Sequence, residues 1–397
     1  MRHKRHTDWA TVIVTAVSPL GPAMVVATLG LALPEIRASL SLTEVQGGTL
    51  FSAIFLIAAC ASALAGRLSD RIGQKAVLVC GGIALAFGFG GSSTTTSYAN
   101  LLFLLAITGL GYGFITAPVF SLMSTLLPGA RGLATGLVSA AYGMGGLIGP
   151  LAASAIITRV DWRMSVLCVG ATAAAIAVLQ LWRVKVPVPT QPSVTSRGIA
   201  PRSPFRLNRN LTLLAVAQFF GGSVFWTTSS WTPTVLRSVK DLTLHETGLV
   251  MATWGATPVV AAIVLGILSD RLGRKYVIMG TAYPGAVIAV IVYTWLTAPG
   301  SLAMGLLLLG VCKATIPSLV VAMAQDSAGE GQIGAASGLI MSMHYVAAFT
   351  SPVIAAQLIA GLGDMISAMV LASALPFVVF GTLIAVVHLP PSRAPES

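Results

Sequence analysis

Charge is what this 397-residue chain has least of: Asp, Glu, Lys and Arg together make up 9% of it, against about 25% in ordinary globular domains. So little charge cannot cover a water-facing surface, which excludes a soluble fold, and disorder is excluded with it. Cysteine is scarce as well. Cys60, Cys80, Cys168 and Cys312 all fall within apolar runs, which excludes a secreted disulfide scaffold and reads them as small core residues. Acid is scarcer than base: 12 Asp and Glu stand against 23 Lys and Arg, a formal net charge of +11. In a soluble protein that excess would suggest nucleic acid; in this chain its distribution decides.

What the chain does have is apolar residues, 55% of the total, with 41 Gly and 21 Pro. Gly and Pro are commoner in transmembrane helices than in soluble ones. Apolar stretches of about 20 residues, enough to cross a hydrocarbon layer about 30 Å thick, recur twelve times: 10 to 36, 46 to 65, 76 to 94, 99 to 126, 132 to 157, 163 to 183, 210 to 236, 245 to 267, 276 to 296, 301 to 324, 332 to 360 and 366 to 388. One long polar interval, Arg183 to Arg209, is rich in Pro, Ser and basic residues and reads as a flexible linker. The expected organisation is an N-terminal six-helix bundle (1–183), a linker (184–209) and a C-terminal six-helix bundle (210–397).

Lys and Arg stay on the cytoplasmic side of a bilayer. With the N-terminus inside, 17 of the 23 lie on the cytoplasmic side, five lie outside (Arg37, Arg159, Arg163, Arg237 and Lys240), and the last, Lys313, falls mid-span. That predicts a multi-pass protein of the plasma (inner) membrane with both termini cytoplasmic, and no nucleic-acid partner. The basic start, MRHKRH, followed by a long apolar run reads as an uncleaved first helix rather than a signal peptide. The sequon at Asn210 then lies on the inner side, where it is a chance match.

The chain repeats itself. Gly66 to Lys75 (GRLSDRIGQK) returns as Gly266 to Lys275 (GILSDRLGRK), 200 residues on, with seven of ten positions identical. Thr116-Ala117-Pro118 in the fourth span matches Thr315-Ile316-Pro317 in the tenth, and Gly136 and Pro150 in the fifth are spaced as Gly338 and Pro352 are in the eleventh. Duplicated halves of six spans are a transporter architecture, with the substrate bound at the repeat interface near the midplane.

At these motifs the chain resembles the major facilitator superfamily of secondary transporters, and in particular its organic-anion-type members. Leu33-Pro34-Glu35, Arg131-Gly132 and Asp161-Trp162-Arg163 add to the resemblance, while Leu105 stands where the family's fourth span carries an Arg. The resemblance implies twelve transmembrane helices in two pseudo-symmetric bundles, all-α, with spans 1, 2, 4, 5, 7, 8, 10 and 11 lining a cavity and 3, 6, 9 and 12 facing lipid. Asp70 and Asp270 are expected to latch the halves by meeting helix N-termini across the interface. Arg71, Arg131 and Arg271 are expected to pair with Asp326 or Glu330 at the inner rim.

Ionisable groups at mid-depth are costly and default to function. Lys313 lies about 16 Å from either end of span 10 at 1.5 Å per residue, His344 at similar depth in span 11, and every acidic residue at a helix end, loop or tail. The repeat breaks at both: Lys313 aligns with Phe114 and His344 with Tyr142. A buried cation without a carboxylate calls for an anionic substrate. Helical spacing adds Gln218, Trp226, Tyr112 and Tyr142 as contacts, with Trp231 interfacial and Ser337 or a backbone carbonyl a partner for His344.

The expected function is alternating-access transport of a small organic anion, a carboxylate, by proton symport or anion exchange, in a protein acting as a monomer. A proton-driven multidrug exporter is the alternative, and a non-transporting membrane receptor the alternative of another class. No enzyme, cofactor or metal site is expected; Gly109-Leu110-Gly111-Tyr112-Gly113 lacks the strand a nucleotide loop needs and reads as helix packing.

Overall fold

Proline and glycine decide where the rods break and turn. In the computed structural model, which describes residues 8–127, 131–184, 207–328 and 333–388, span 1 is split into α1 (Trp9–Ala16) and α2 (Leu20–Leu40) just before Pro19 and Pro22, which have no N–H to continue the ladder. Span 2 is α3 (Glu44–Ile72). Span 3 is α4 (Gln74–Leu85), running into a π turn (Ala86–Gly90) and a 3-10 turn (Ser92–Thr94). Then follow α5 (Tyr98–Leu126), α6 (Arg131–Arg159) and α7 (Trp162–Arg183). The second six are α8 (Arg209–Ser238), α9 (Leu244–Leu272), α10 (Arg274–Thr294), span 10 as α11 (Pro299–Lys313) and α12 (Thr315–Ser327), α13 (Ile333–Leu362) and α14 (Met365–Val386). Among the described residues ten helical stretches are long and apolar enough to cross a membrane; α9 and the broken span 10 complete twelve.

The repeat has a local physical cause. Thr43 caps α3 in a reciprocal box with Gln46, and Thr243 caps α9 in the same way with Glu246. At the other end Gly73 and Gly273 stop these helices at φ +88° and +90°, a backbone region open to glycine and strained for other residues. Asp161 and Asp364 cap α7 and α14 through their carboxylates. Burial is not involved in holding Asp364 below the usual carboxylate range: hydrogen bonds from Ser367 and Ile366 favour its charged form.

The six spans on either side of the linker pack as groups. α4, α7, α10 and α14 pack closely only within their own group, while α3 against α13, α6 against α9, and α2 against α8 and α9 join the two. Cross-group contact is tightest from mid-depth to the end away from the linker. There Gly30 meets the Ser229 carbonyl, Gly48 that of Pro352, Gly248 the Ser154 side chain, and Gly146 lies backbone to backbone against Gly255. Ser52 donates to the Phe349 carbonyl at 2.5 Å, and Arg237 forms an ion pair with Glu35 across the groups. At the linker end, Gly136, Gly266 and Gly338 have open space where a side chain would be. Among the described residues, the closest approaches between the groups lie toward the far end and not toward the linker.

Two readings need correction. Cys60, Cys80 and Cys168 are exposed and only Cys312 is buried: in a membrane fold an apolar run has a lipid-facing side, so apolar surroundings do not imply a core position. Trp231 is fully buried, not interfacial. Its Nε1 donates to the Pro352 carbonyl at 2.9 Å, which satisfies the indole inside the protein rather than at a headgroup layer.

Candidate functional site

Span 10 breaks where its lysine sits. Pro317 has no N–H to offer the carbonyl four residues back, so α11 ends on Lys313 and Ala314 turns back to Val311 at 3.2 Å. One turn earlier, Gly310 lets α11 approach α9 so closely that a Cβ there would stand 2.9 Å from Thr257. That approach brings Lys313 beside Trp254, one turn along from Thr257. Lys313 is 3% exposed. Its Nζ lies 3.1 Å from the centre of the Trp254 ring and 4.4 Å from that of Phe225. The two rings stack at 6.3 Å with 29° between planes, and the indole is held by Trp254 Nε1 donating to Ser229 Oγ at 3.2 Å. Among the described residues Lys313 has no carboxylate partner; the ion pairs are Arg37 with Glu44, Arg237 with Glu35 and Arg274 with Asp326.

His344 stands alongside. Gly222 leaves it room, since a Cβ there would lie 3.1 Å from Nδ1, and Gln218 Nε2 comes within 3.2 Å of that nitrogen. Gln218, not the expected Ser337, is thus its side-chain partner; Ser337 takes a hydrogen bond from Gln325 at 3.0 Å. The His344 ring is 5.5 Å from Trp226 and 6.1 Å from Phe225. Gln218 Oε1 and Trp226 Nε1 are buried without a hydrogen-bond partner among the described residues.

The first six spans reach the same place. Phe55 packs on Trp226 with ring centres 4.1 Å apart and meets Tyr112 edge to face at 5.4 Å. Tyr142 OH donates to Thr116 Oγ1 at 3.1 Å, and Thr116 Oγ1 in turn to the Tyr112 carbonyl at 2.7 Å. Lys313, His344, Gln218, Trp226, Tyr112 and Tyr142 are therefore brought into one mid-depth region. Phe225, Trp254 and Phe55 belong with them and are absent from the expected set. A signal existed for one: Trp254 aligns with Ile54 in the repeat, so it departs from symmetry as Lys313 does.

The rim residues divide. Arg71 and Arg271 are exposed at the linker ends of α3 and α9, and Asp326 pairs with Arg274, the residue after Gly273, rather than with Arg71 or Arg271. The side chains of Asp70, Asp270 and Arg131, and all of Glu330, lie outside the described residues.

Comparison with known proteins places this architecture. The profile of the family described as the Major Facilitator Superfamily matches residues 20–244 and 239–397. A probable sulfoacetate transporter of Cupriavidus necator is 25% identical over 90% of this chain and 87% of its own. A hexuronate transporter of Bacillus subtilis is 23% identical, covering 87% of each, and a multidrug efflux protein of the same organism is 25% identical over 88% of this chain and 85% of its own. Among solved structures, a D-xylose-proton symporter superposes with a TM-score of 0.78 at 15% identity, over 97% of this chain and 98% of that one. A nucleoside transporter does so with 0.78 at 13%, over 96% and 100%.

Proposed function

Because the chain belongs to the major facilitator superfamily and is a membrane transporter, not an enzyme, we propose that its mid-depth site carries a small organic anion, a carboxylate, across the plasma membrane by alternating access. One observation carries this reading: Lys313 is buried at mid-depth with no carboxylate among the described residues to neutralise it. An unpaired charge in a low-dielectric site is expensive, and an anion that pairs with it recovers that cost on binding. Two relatives are named for sulfoacetate and hexuronate, both anions with a carboxylate, which supports the same direction. The apolar ring faces around Lys313 suit the body of an organic acid, and His344 with Gln218 supplies polar contacts beside it.

Two couplings fit. If Lys313 takes up a proton together with the anion, the two cross in symport; if it stays charged and uncompensated when empty, exchange is obligatory. A ligand that binds the folded state raises its melting temperature, so purified protein is expected to be stabilised by sulfoacetate or glucuronate. In Lys313→Gln affinity should fall roughly 10- to 100-fold, the scale of a lost charged hydrogen bond, with Lys313→Arg retaining part of it. Unchanged affinity in Lys313→Gln removes the proposal.

The dense aromatic cluster and the efflux relative favour one second reading, export of lipophilic drugs. It predicts that overexpression raises tolerance to several unrelated lipophilic compounds, and that Lys313→Gln leaves this tolerance intact.

A further inference from the structure

The ammonium of Lys313 is not bare. It lies against the face of Trp254 at 3.1 Å and near that of Phe225 at 4.4 Å, and an aromatic face carries negative quadrupole density that attracts a cation most strongly when both are desolvated. Each component comes from a different span: Lys313 from span 10, Trp254 from α9, Phe225 from α8. The cation and its best ring also enter the sequence together. In the first half the aligned positions hold Phe114 and Ile54, neither charged nor indole, so neither Trp254 nor Lys313 is a requirement of the shared scaffold.

We infer that Trp254 and Phe225 act as the counter-ion of the empty carrier, holding the charged Lys313 in place of the anion so that the unloaded protein can change its facing. This rests on the organic-anion reading of the site and removes the premise of obligatory exchange, because the empty site is compensated. The rings are neutral and weaker partners than a carboxylate, so an arriving anion displaces them without having to displace an acidic side chain. The clamp is also wired to the other half of the molecule. Phe225 meets Trp226 edge to face at 4.7 Å, and Trp226 rests on Phe55 of α3 at 4.1 Å. Relative motion of the two groups therefore reaches the Lys313 cage through two ring contacts.

The test separates exchange from net movement in proteoliposomes, using sulfoacetate and glucuronate as probes. Trp254→Leu and Phe225→Leu are expected to lower net efflux into anion-free buffer at least tenfold more than they lower anion exchange, which stays measurable. Trp254→Phe, which keeps a ring, should recover a substantial part of the net efflux. Retained exchange certifies that a variant is folded and still binds. The inference is overturned if net efflux survives in both leucine variants, or if exchange and net efflux fall in parallel in both, as loss of packing alone would produce. Absence of any anion-dependent stabilisation of the wild type is a different failure: it removes the organic-anion reading, and the cage with it.

Discussion

Trp226 and Gln218 each bury a polar atom with no hydrogen-bond partner among the described residues, Nε1 on one and Oε1 on the other. Such atoms are costly to leave unmade, by about 1 to 3 kcal/mol each, and at a binding site a ligand satisfies them. Because the indole nitrogen has no partner to lose in the empty protein, Trp226→Phe is expected to leave the melting temperature nearly unchanged while weakening anion binding up to about tenfold. Gln218→Leu also strips His344 of its partner and should weaken binding further. Titration of both variants by thermal shift checks this, and wild-type affinity in both would exclude them as contacts. At this scale the sequence was informative about depth and about charge. Lys313 stands out because no acid shares its level of the membrane. Its ring partners do not, because helical spacing sorts residues onto faces but is silent on which face of a neighbouring helix comes near. That was decided by Gly310 against Thr257, a contact between spans far apart in the chain.

Helices in lipid have no hydrophobic drive to associate and rely on close packing of small residues, and α6 against α9 shows how little room is left. A Cβ on Gly255 would stand 2.0 Å from the Gly146 carbonyl oxygen. Gly255→Val should therefore forbid closure at the end away from the linker. Ser229, 8% exposed there, offers a probe: as Ser229→Cys in a background without the native cysteines, it should react with a membrane-impermeant thiol reagent from that side at least several-fold faster once Gly255→Val is added. An unchanged rate would show that the two helices separate for other reasons. Neither the break in span 10 nor the burial of Trp231 was foreseeable, since Pro118, the match of Pro317, lies inside the unbroken α5. Seven residues from the end of α8, Trp231 sits at a depth where an indole commonly anchors at a headgroup layer, and only its hydrogen bond to Pro352 shows that α13 covers it.

For the whole molecule, the repeat of 200 residues and the run of twelve apolar stretches made the fold legible before any coordinates. Duplication writes the same caps and the same glycine stops twice. The linker and the first residues lie outside the described residues, and the direction of insertion rests on the 17 to 5 division of basic residues. That division predicts a fluorescent C-terminal fusion of a reporter that folds only in the cytoplasm, and an inactive fusion there of a periplasmic phosphatase. A phosphatase fused after Asp241 should be active instead. The reverse pattern would invert the topology and put the closed end of the structure on the cytoplasmic face.

Among the spans that run as one unbroken helix, rod length separates the inner ones from the outer ones. α3, α5, α6 and α9 are 29 residues long and α8 and α13 are 30, about 44 Å at 1.5 Å per residue, well beyond a hydrocarbon layer of about 30 Å. α7, α10 and α14, which stay within their own groups, are 21 or 22 residues long, about 32 Å. The outer rods are thus matched to the bilayer and the inner ones overhang it. Their tips, with Arg71 on α3 and Arg271 on α9, can swing through water while the lipid-facing belt keeps its height, so rocking need not stretch or thin the surrounding membrane.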